Sequence, residues 1–245
     1  MARNPAVLEV TSVHRKFGGL QALSDVSFAV EQQEVVGLIG PNGAGKSTLF
    51  EVISGNIPPS SGAIAFHGDD VTRMAAFRRR RSGLCRTFQK IRLFGALTVA
   101  QNVAVAAQQC VVDGNWRDEV ASALAKLRLT AQADRYPSEI TLPDRKKVEI
   151  ARAIVGRCRV LMLDECLSGL TRDEADEVVQ EILGLNRQGL TIIVVEHVMP
   201  VVMAMAQRLV VLQHGCVIAD GPPKEVAANP VVIEAYLGAR HRPAP

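Results

Sequence analysis

Two kinds of apolar run alternate along this chain of 245 residues. Near the front, Val7-Leu8-Glu9-Val10 and Val26-Ser27-Phe28-Ala29-Val30 alternate apolar with polar or small positions, with a turn at Gly18-Gly19 between them. This is the pattern of short strands with one covered face. Val35-Val36-Gly37-Leu38-Ile39, Val160-Leu161-Met162-Leu163 and Thr191-Ile192-Ile193-Val194-Val195 do not alternate, which predicts strands covered on both faces. Between them the period becomes helical. An apolar helix is expected from about Lys46 to Ser54, and an alanine-rich helical stretch from about Leu97 to Leu129, broken at Asp113-Gly114-Asn115. Thr171-Arg172-Asp173-Glu174 is a capping box; Ala175, Val178, Val179 and Ile182 follow at helical spacing, and Gly189 ends that helix. Strand, helix and strand over 130–215 argue for a parallel sheet. The expected fold is one α/β unit over 1–245, with a β layer in front and a helical insertion between about 90 and 150.

Composition narrows the class. Hydrophobic residues are 48% and charged residues 22%, so the chain is neither disordered nor fibrous. A net charge of +3, spread along the chain, makes no electrostatic case for nucleic acid. The one basic block, Arg78 to Arg81, reads as a solvated helix or loop face. Five cysteines without a C-x-x-C pair point to a reducing compartment, and away from zinc or a disulfide framework. Met1-Ala2-Arg3-Asn4-Pro5 lacks the apolar core of a signal peptide, and no apolar run reaches about 18 residues. A cytoplasmic chain that does not itself cross a membrane is expected.

The chemistry starts at Gly40-Pro41-Asn42-Gly43-Ala44-Gly45-Lys46-Ser47, which fits G-x-x-x-x-G-K-[ST] between a buried strand and a helix. In such a loop the glycines let backbone N–H groups curl around phosphate oxygens, and the helix N-terminus adds partial positive charge. Lys46 would reach the β- and γ-phosphates of ATP, and the Ser47 hydroxyl would ligate Mg²⁺. Asp164 and Glu165 end the strand that begins at Val160. Asp164 is placed to hold the Mg²⁺ hydration shell through water, and Glu165 to polarise the attacking water.

With these motifs the chain resembles the nucleotide-binding subunit of ATP-binding-cassette transporters over nearly its full length. The resemblance rests on Gly40 to Thr48, Gln89 in Arg86-Thr87-Phe88-Gln89, Leu163-Asp164-Glu165, Ser168-Gly169-Leu170-Thr171, His197 in Val195-Glu196-His197, and Glu149-Ile150-Ala151-Arg152-Ala153. It implies a P-loop NTPase core of the RecA type, with an antiparallel β subdomain and an inserted α-helical subdomain carrying the signature region. It also implies ATP and Mg²⁺ as cofactors, Gln89 as a further contact to nucleotide and metal, His197 as the switch histidine beside Glu165, and Phe17 stacked on adenine. Implied partners are transmembrane permease subunits, a second cassette ATPase in a heterodimer or homodimer and, indirectly, a substrate-binding protein. The implied location is the inner face of the cell membrane.

Lys16-Phe17-Gly18-Gly19-Leu20-Gln21-Ala22-Leu23, Arg86 to Phe94, and the ending Asn229 to Gly238 look like the larger ATPase subunit of branched-chain amino-acid importers. An exporter ATPase for lipid or lipopolysaccharide and a non-hydrolysing regulatory module are the alternatives. Ile91-Arg92-Leu93-Phe94 is expected in the groove for the permease's coupling helix, or else buried against the chain's own helices. One departure stands out. Where the family has a signature such as L-S-G-G-Q, this chain has Ile140-Thr141-Leu142-Pro143-Asp144. Pro143 has no N–H to give, and Asp144 would bring negative charge towards phosphate. The signature acts on the partner's nucleotide, so asymmetry between two sites is expected.

Overall fold

The structure, a computed structural model, describes residues 5–88, 91–110, 115–196 and 198–237. The front hairpin pairs β1 (Ala6–Phe17) with β2 (Leu20–Glu31) around Gly18-Gly19, and β3 (Val35–Ile39) leads into α1 (Lys46–Ser54). Next come β4 (Ser61–Phe66), β5 (Asp69–Asp70), α2 (Ala76–Ser82) and β6 (Leu84–Arg86). Three helices follow: α3 (Val99–Cys110), α4 (Trp116–Lys126) and α5 (Leu142–Ile154). The chain continues through β7 (Val160–Asp164), α6 (Arg172–Arg187), β8 (Thr191–Val195) and α7 (Met199–Met205). It ends with β9 (Arg208–Gln213), β10 (Cys216–Gly221), α8 (Pro223–Ala228) and α9 (Pro230–Leu237).

The strands form two sheets, ordered β2-β1-β4-β5 and β10-β9-β3-β8-β7-β6. The first is antiparallel; the second is parallel except for β10 on β9. Every residue of β3, β7 and β8 is buried, and the reason is visible in the pleat. Val160, Met162, Ile193 and Val195 face a core shared with α1 and the front sheet. Leu161, Leu163, Ile192 and Val194 face the opposite core, shared with α3, α4, α5 and α6. Alternate side chains thus enter different cores, which is why the only polar residues of these strands, Asp164 and Thr191, stand at their ends. A third cluster packs α7, α8 and α9 against Ile39, Leu209 and Val211.

The basic block departs from the solvated face expected of it. Arg78 and Arg81 are exposed, with their guanidinium groups near the Phe77 ring, but Arg79 is 1% exposed. It donates to the carbonyls of Val52 and Ile53 (2.9 and 2.7 Å), and to those of Met74 and Thr72 (3.0 and 2.9 Å). One cation thereby caps the unpaired C-terminal carbonyls of α1, where the helix dipole is negative. Burial pushes the guanidinium down to about 10, so it stays charged at neutral pH. Arg79→Met should lower stability by about 3 kcal/mol, because several buried carbonyls lose a charged donor. Arg78→Ala and Arg81→Ala should each change it by less than about 0.5 kcal/mol. Urea unfolding of the three variants checks this.

Candidate functional site

The loop between β3 and α1 is shaped by three glycines in left-handed backbone. Gly40, Gly43 and Gly45 have φ of 149°, 78° and 105°. At Gly40 a Cβ would sit 2.1 Å from the Leu212 carbonyl oxygen, and at Gly45 it would sit 2.8 Å from that of Ala22. A Cβ on Gly43 would meet nothing within 4 Å, so there the backbone faces open space. Gly45 caps α1 with no side-chain bond, and the first turn holds no acid. The first-turn N–H groups therefore point, uncapped, at the cleft, as an anion site requires.

Lys46 folds back under this loop. It is 6% exposed, and its Nζ donates to the Gly40 and Pro41 carbonyls at 2.6 and 3.0 Å. Burial lowers the ammonium below its ordinary value, with Glu165 opposing. Above the loop lies a cleft of about 730 Å³, lined by Asn42 to Thr48, by Phe17 and Gln21 from the front hairpin, and by Glu165 and His214. Ser47 is exposed to it. Phe17 is 44% exposed, with the Arg15 guanidinium 4.5 Å from its ring centroid. A larger concavity, about 1000 Å³, lies elsewhere, around Arg208. There Arg208 is ion-paired to Glu34 and Asp220, so those groups are engaged in holding strands together.

The acidic pair divides its tasks by position. Glu165 reaches the cleft from a backbone at φ 48°, unusual for a residue with a Cβ, while its N–H donates to the Val195 carbonyl at 2.9 Å. Strain of this kind gathers at functional sites. Asp164 is 6% exposed; its N–H donates to Thr87 Oγ1, and its Oδ2 accepts from Arg86 Nη2 at 3.0 Å. The same guanidinium holds Glu51 of α1 at 2.7 Å. Arg86 is the site-adjacent residue that the sequence reading passed over.

The loop residues Asn42 to Thr48, Phe17 and Glu165 thus meet at one cleft, with Gly40 and Pro41 beneath it and Asp164 behind it. Gln89 and His197 lie outside the described residues. The signature segment is elsewhere on the chain, at the start of α5. Thr141 caps that helix by accepting from the Asp144 N–H at 3.2 Å. Pro143 is buried in the first turn, where the helix has no use for an N–H. Asp144 is not an unshielded charge: its carboxylate pairs with Lys147 at 2.8 Å, and Lys147 with Glu177 at 3.0 Å.

Burial raises Asp164 above the ordinary carboxylate range, Arg86 pulls it back, and Glu165 pushes it up again. A carboxyl raised in the fold contributes stability below its unfolded pKa and loses it as pH climbs through the folded one. Arg86→Met removes the opposing cation and raises Asp164 further. Its deficit should be about 3 kcal/mol near pH 8 and should shrink towards about pH 5, because falling pH favours the neutral form of a carboxyl raised in the fold. Urea titrations at the two pH values measure the difference.

Comparison with known proteins agrees with this geometry. Residues 23–168 match the family model described as ABC transporter, and residues 216–242 match the one described as branched-chain amino acid ATP-binding cassette transporter. The chain is 36% identical over 250 residues to the high-affinity branched-chain amino acid transport ATP-binding protein BraF of Pseudomonas aeruginosa, covering 95% of this chain and 98% of BraF. It is 35% identical over 249 residues to LivG of Escherichia coli, which carries the same description, with the same coverage. Among solved structures, the ADP conformation of the cassette MJ1267 superposes with a TM-score of 0.87 at 28% identity, covering 96% of this chain and 100% of that one. A nucleotide-free cassette from an ABC transporter gives 0.85 at 28%, covering 95% and 99%. With the phosphate-loop cleft, these similarities show that the chain belongs to the ATP-binding-cassette transporter family, as an ATP-binding and ATP-hydrolysing subunit.

Proposed function

We propose that this subunit energises the import of branched-chain amino acids or similar small polar solutes, working at the inner face of the cell membrane on transmembrane permease subunits. The observation that carries the solute class is the match of residues 216–242 to the branched-chain cassette model, beyond the common cassette region. The exporter and regulatory readings have no counterpart among the relatives above. Deleting the gene should abolish high-affinity leucine uptake by intact cells. Complementation with the wild-type chain should restore it, and complementation with Glu165→Gln should not; unchanged uptake in the deletion strain would sink the proposal.

In this reading the N–H groups of Gly43, Gly45, Lys46, Ser47 and Thr48 cradle the phosphates; Ala44, whose N–H closes the turn onto the Pro41 carbonyl at 3.1 Å, shapes the cradle, with Asn42 at the rim. Lys46 leaves the Gly40 and Pro41 carbonyls to meet the β- and γ-phosphates, and its burial is relieved by the anion. Ser47, Gln89 and, through water, Asp164 would hold Mg²⁺; the exposed Ser47 and the buried carboxylate at the β7 end suit a hard cation that favours oxygen ligands. The metal would neutralise charge developing on the transferred phosphoryl group. Glu165 takes the proton of the attacking water, with His197 as the switch histidine, and Phe17 presents its exposed ring to adenine. Glu165→Gln should lower the ATPase rate about 10²- to 10⁴-fold while ATP still binds; single-turnover and filter-binding measurements separate the two.

The start of α5 supports a heterodimer with a second cassette of intact signature, a homodimer being the less suited assembly; a substrate-binding protein would act through the permease. Pro143 withholds one N–H from the partner's γ-phosphate, a charge-assisted bond of about 1.5–3 kcal/mol. Because Asp144 is ion-paired at home, the missing donor outweighs the added charge. Changing residues 140–144 to L-S-G-G-Q should raise ATPase of the assembled transporter and leave ATP binding to this chain unchanged.

The permease groove is broader than Ile91 to Phe94. Phe77, Phe88 and Phe94 are each about half exposed, and a cleft of about 380 Å³ runs from Phe77 and Phe88 to Arg92 and Arg152. Leu93 instead packs on the chain's own core, as the burial alternative expects, while the exposed Phe94 is left to the proposed groove.

A further inference from the structure

The tip of the front hairpin holds its exposed ring in a fixed pose. Arg15 and Phe17 stand two apart on β1, the spacing that puts side chains on one face of a strand. The central carbon of the Arg15 guanidinium lies over the Phe17 ring, 4.5 Å from its centroid. The guanidinium is itself anchored, because Nη1 donates to the Pro58 carbonyl at 2.8 Å. Its Nε is buried with no hydrogen-bond partner. A group placed only to satisfy carbonyls would not leave a buried donor unmade. A planar cation laid against a ring gains from the π face instead.

Two further hydrogen bonds fix the same corner. The Lys16 N–H donates to Ser60 Oγ at 3.0 Å, and the Ser60 N–H donates to the His14 carbonyl at 2.7 Å. Pro58 and Ser60 lie in the segment that follows α1, the helix whose other end begins at the phosphate loop. The hairpin tip and the cradle therefore hang from opposite ends of one helix. Phe17 lines the cleft above the loop, and neither Arg15 nor Pro58 does. The cation thus backs the ring from the side away from the cleft and leaves the other side for a ligand. A ring 44% exposed at a hairpin tip would otherwise sample several rotamers, and ordering it on binding costs affinity.

We infer that Arg15 is a positioning residue for the nucleotide base: braced on the Pro58 carbonyl, it holds the Phe17 ring ready to stack on a purine. The inference rests on reading Phe17 as the adenine contact, and is independent of which solute is moved.

Arg15→Met tests it, because an unbranched chain stays and the cation goes. Calorimetric titration of the full-length chain with ATP and Mg²⁺ should show about 2- to 5-fold weaker affinity. Affinity for magnesium tripolyphosphate, which has the phosphates and no base, should be unchanged. Phe17→Ala should weaken ATP binding about 5-fold or more. Adding Arg15→Met to Phe17→Ala should then cost nothing further, since the cation acts through the ring. Unchanged ATP affinity in Arg15→Met would overturn the inference. So would a parallel loss for tripolyphosphate, or a second loss in the double variant, either of which would assign Arg15 to the fold of the hairpin alone. If Phe17→Ala weakens ATP binding and Arg15→Met does not, only the role of Arg15 fails. If Phe17→Ala leaves ATP affinity unchanged, the base does not stack there and both readings fall.

Discussion

The turn from β3 to α1 is the constraint on which the site depends. Gly40 and Gly45 pass so close to the Leu212 and Ala22 carbonyls that no side chain fits, and both sit in backbone that residues with a Cβ avoid. That tight passage lets the chain leave a buried strand and start a helix with its first N–H groups facing outward. Without a ligand, the loop stays folded because Lys46 bonds its own carbonyls. The arrangement carries an internal tension, since burial disfavours the ammonium that the loop must keep charged. An incoming polyphosphate relieves that tension, so binding draws on electrostatic cost already present in the empty site.

A second network ties the metal-side carboxylate to the helix that carries the loop. Glu51 on α1, Arg86 on β6 and Asp164 on β7 share one guanidinium, and Arg86 and Asp164 are both largely buried. The edge strand β6 exists to deliver this cation as much as to extend the sheet, pairing with β7 along its whole length of three residues. Arg79 plays the companion part on the same C-terminal half of α1, where it holds the C-terminal carbonyls. The helix that follows the phosphate loop is therefore held through its C-terminal half by two arginines from one stretch of chain. That stretch also presents Phe77 and Phe88 to solvent, so a partner seated there would press on residues that bear on Asp164.

Local signals were legible in the sequence and distant ones were not. The capping box at Thr171 and Glu174, the helix from Lys46 to Ser54 and the three unbroken strands appear where periodicity and turn chemistry placed them. Each depends on neighbours within a few residues. Arg79 was misread because a run of four arginines has no periodicity, and its partners lie in a helix about 26 residues earlier. Arg86 was passed over because three residues are too few for a strand pattern. The shielding of Asp144 could have been read, since Lys147 follows at helical spacing.

Pro143 shows why a local rule and a functional rule can diverge at one residue. For α5 alone, Thr141 as cap and Pro143 in the first turn make a sound helix start, because the ring is pre-set for helical φ and the lost N–H is one the helix would leave unpaired. For a phosphate approaching that helix end from another subunit, the unpaired N–H groups are the binding site, and proline deletes one. Helix stability and anion binding thus compete for the same atoms. A chain that, as proposed, does not complete its partner's nucleotide site would settle the contest in favour of the helix. That outcome leaves this chain's own cleft intact, because no residue of α5 lines it.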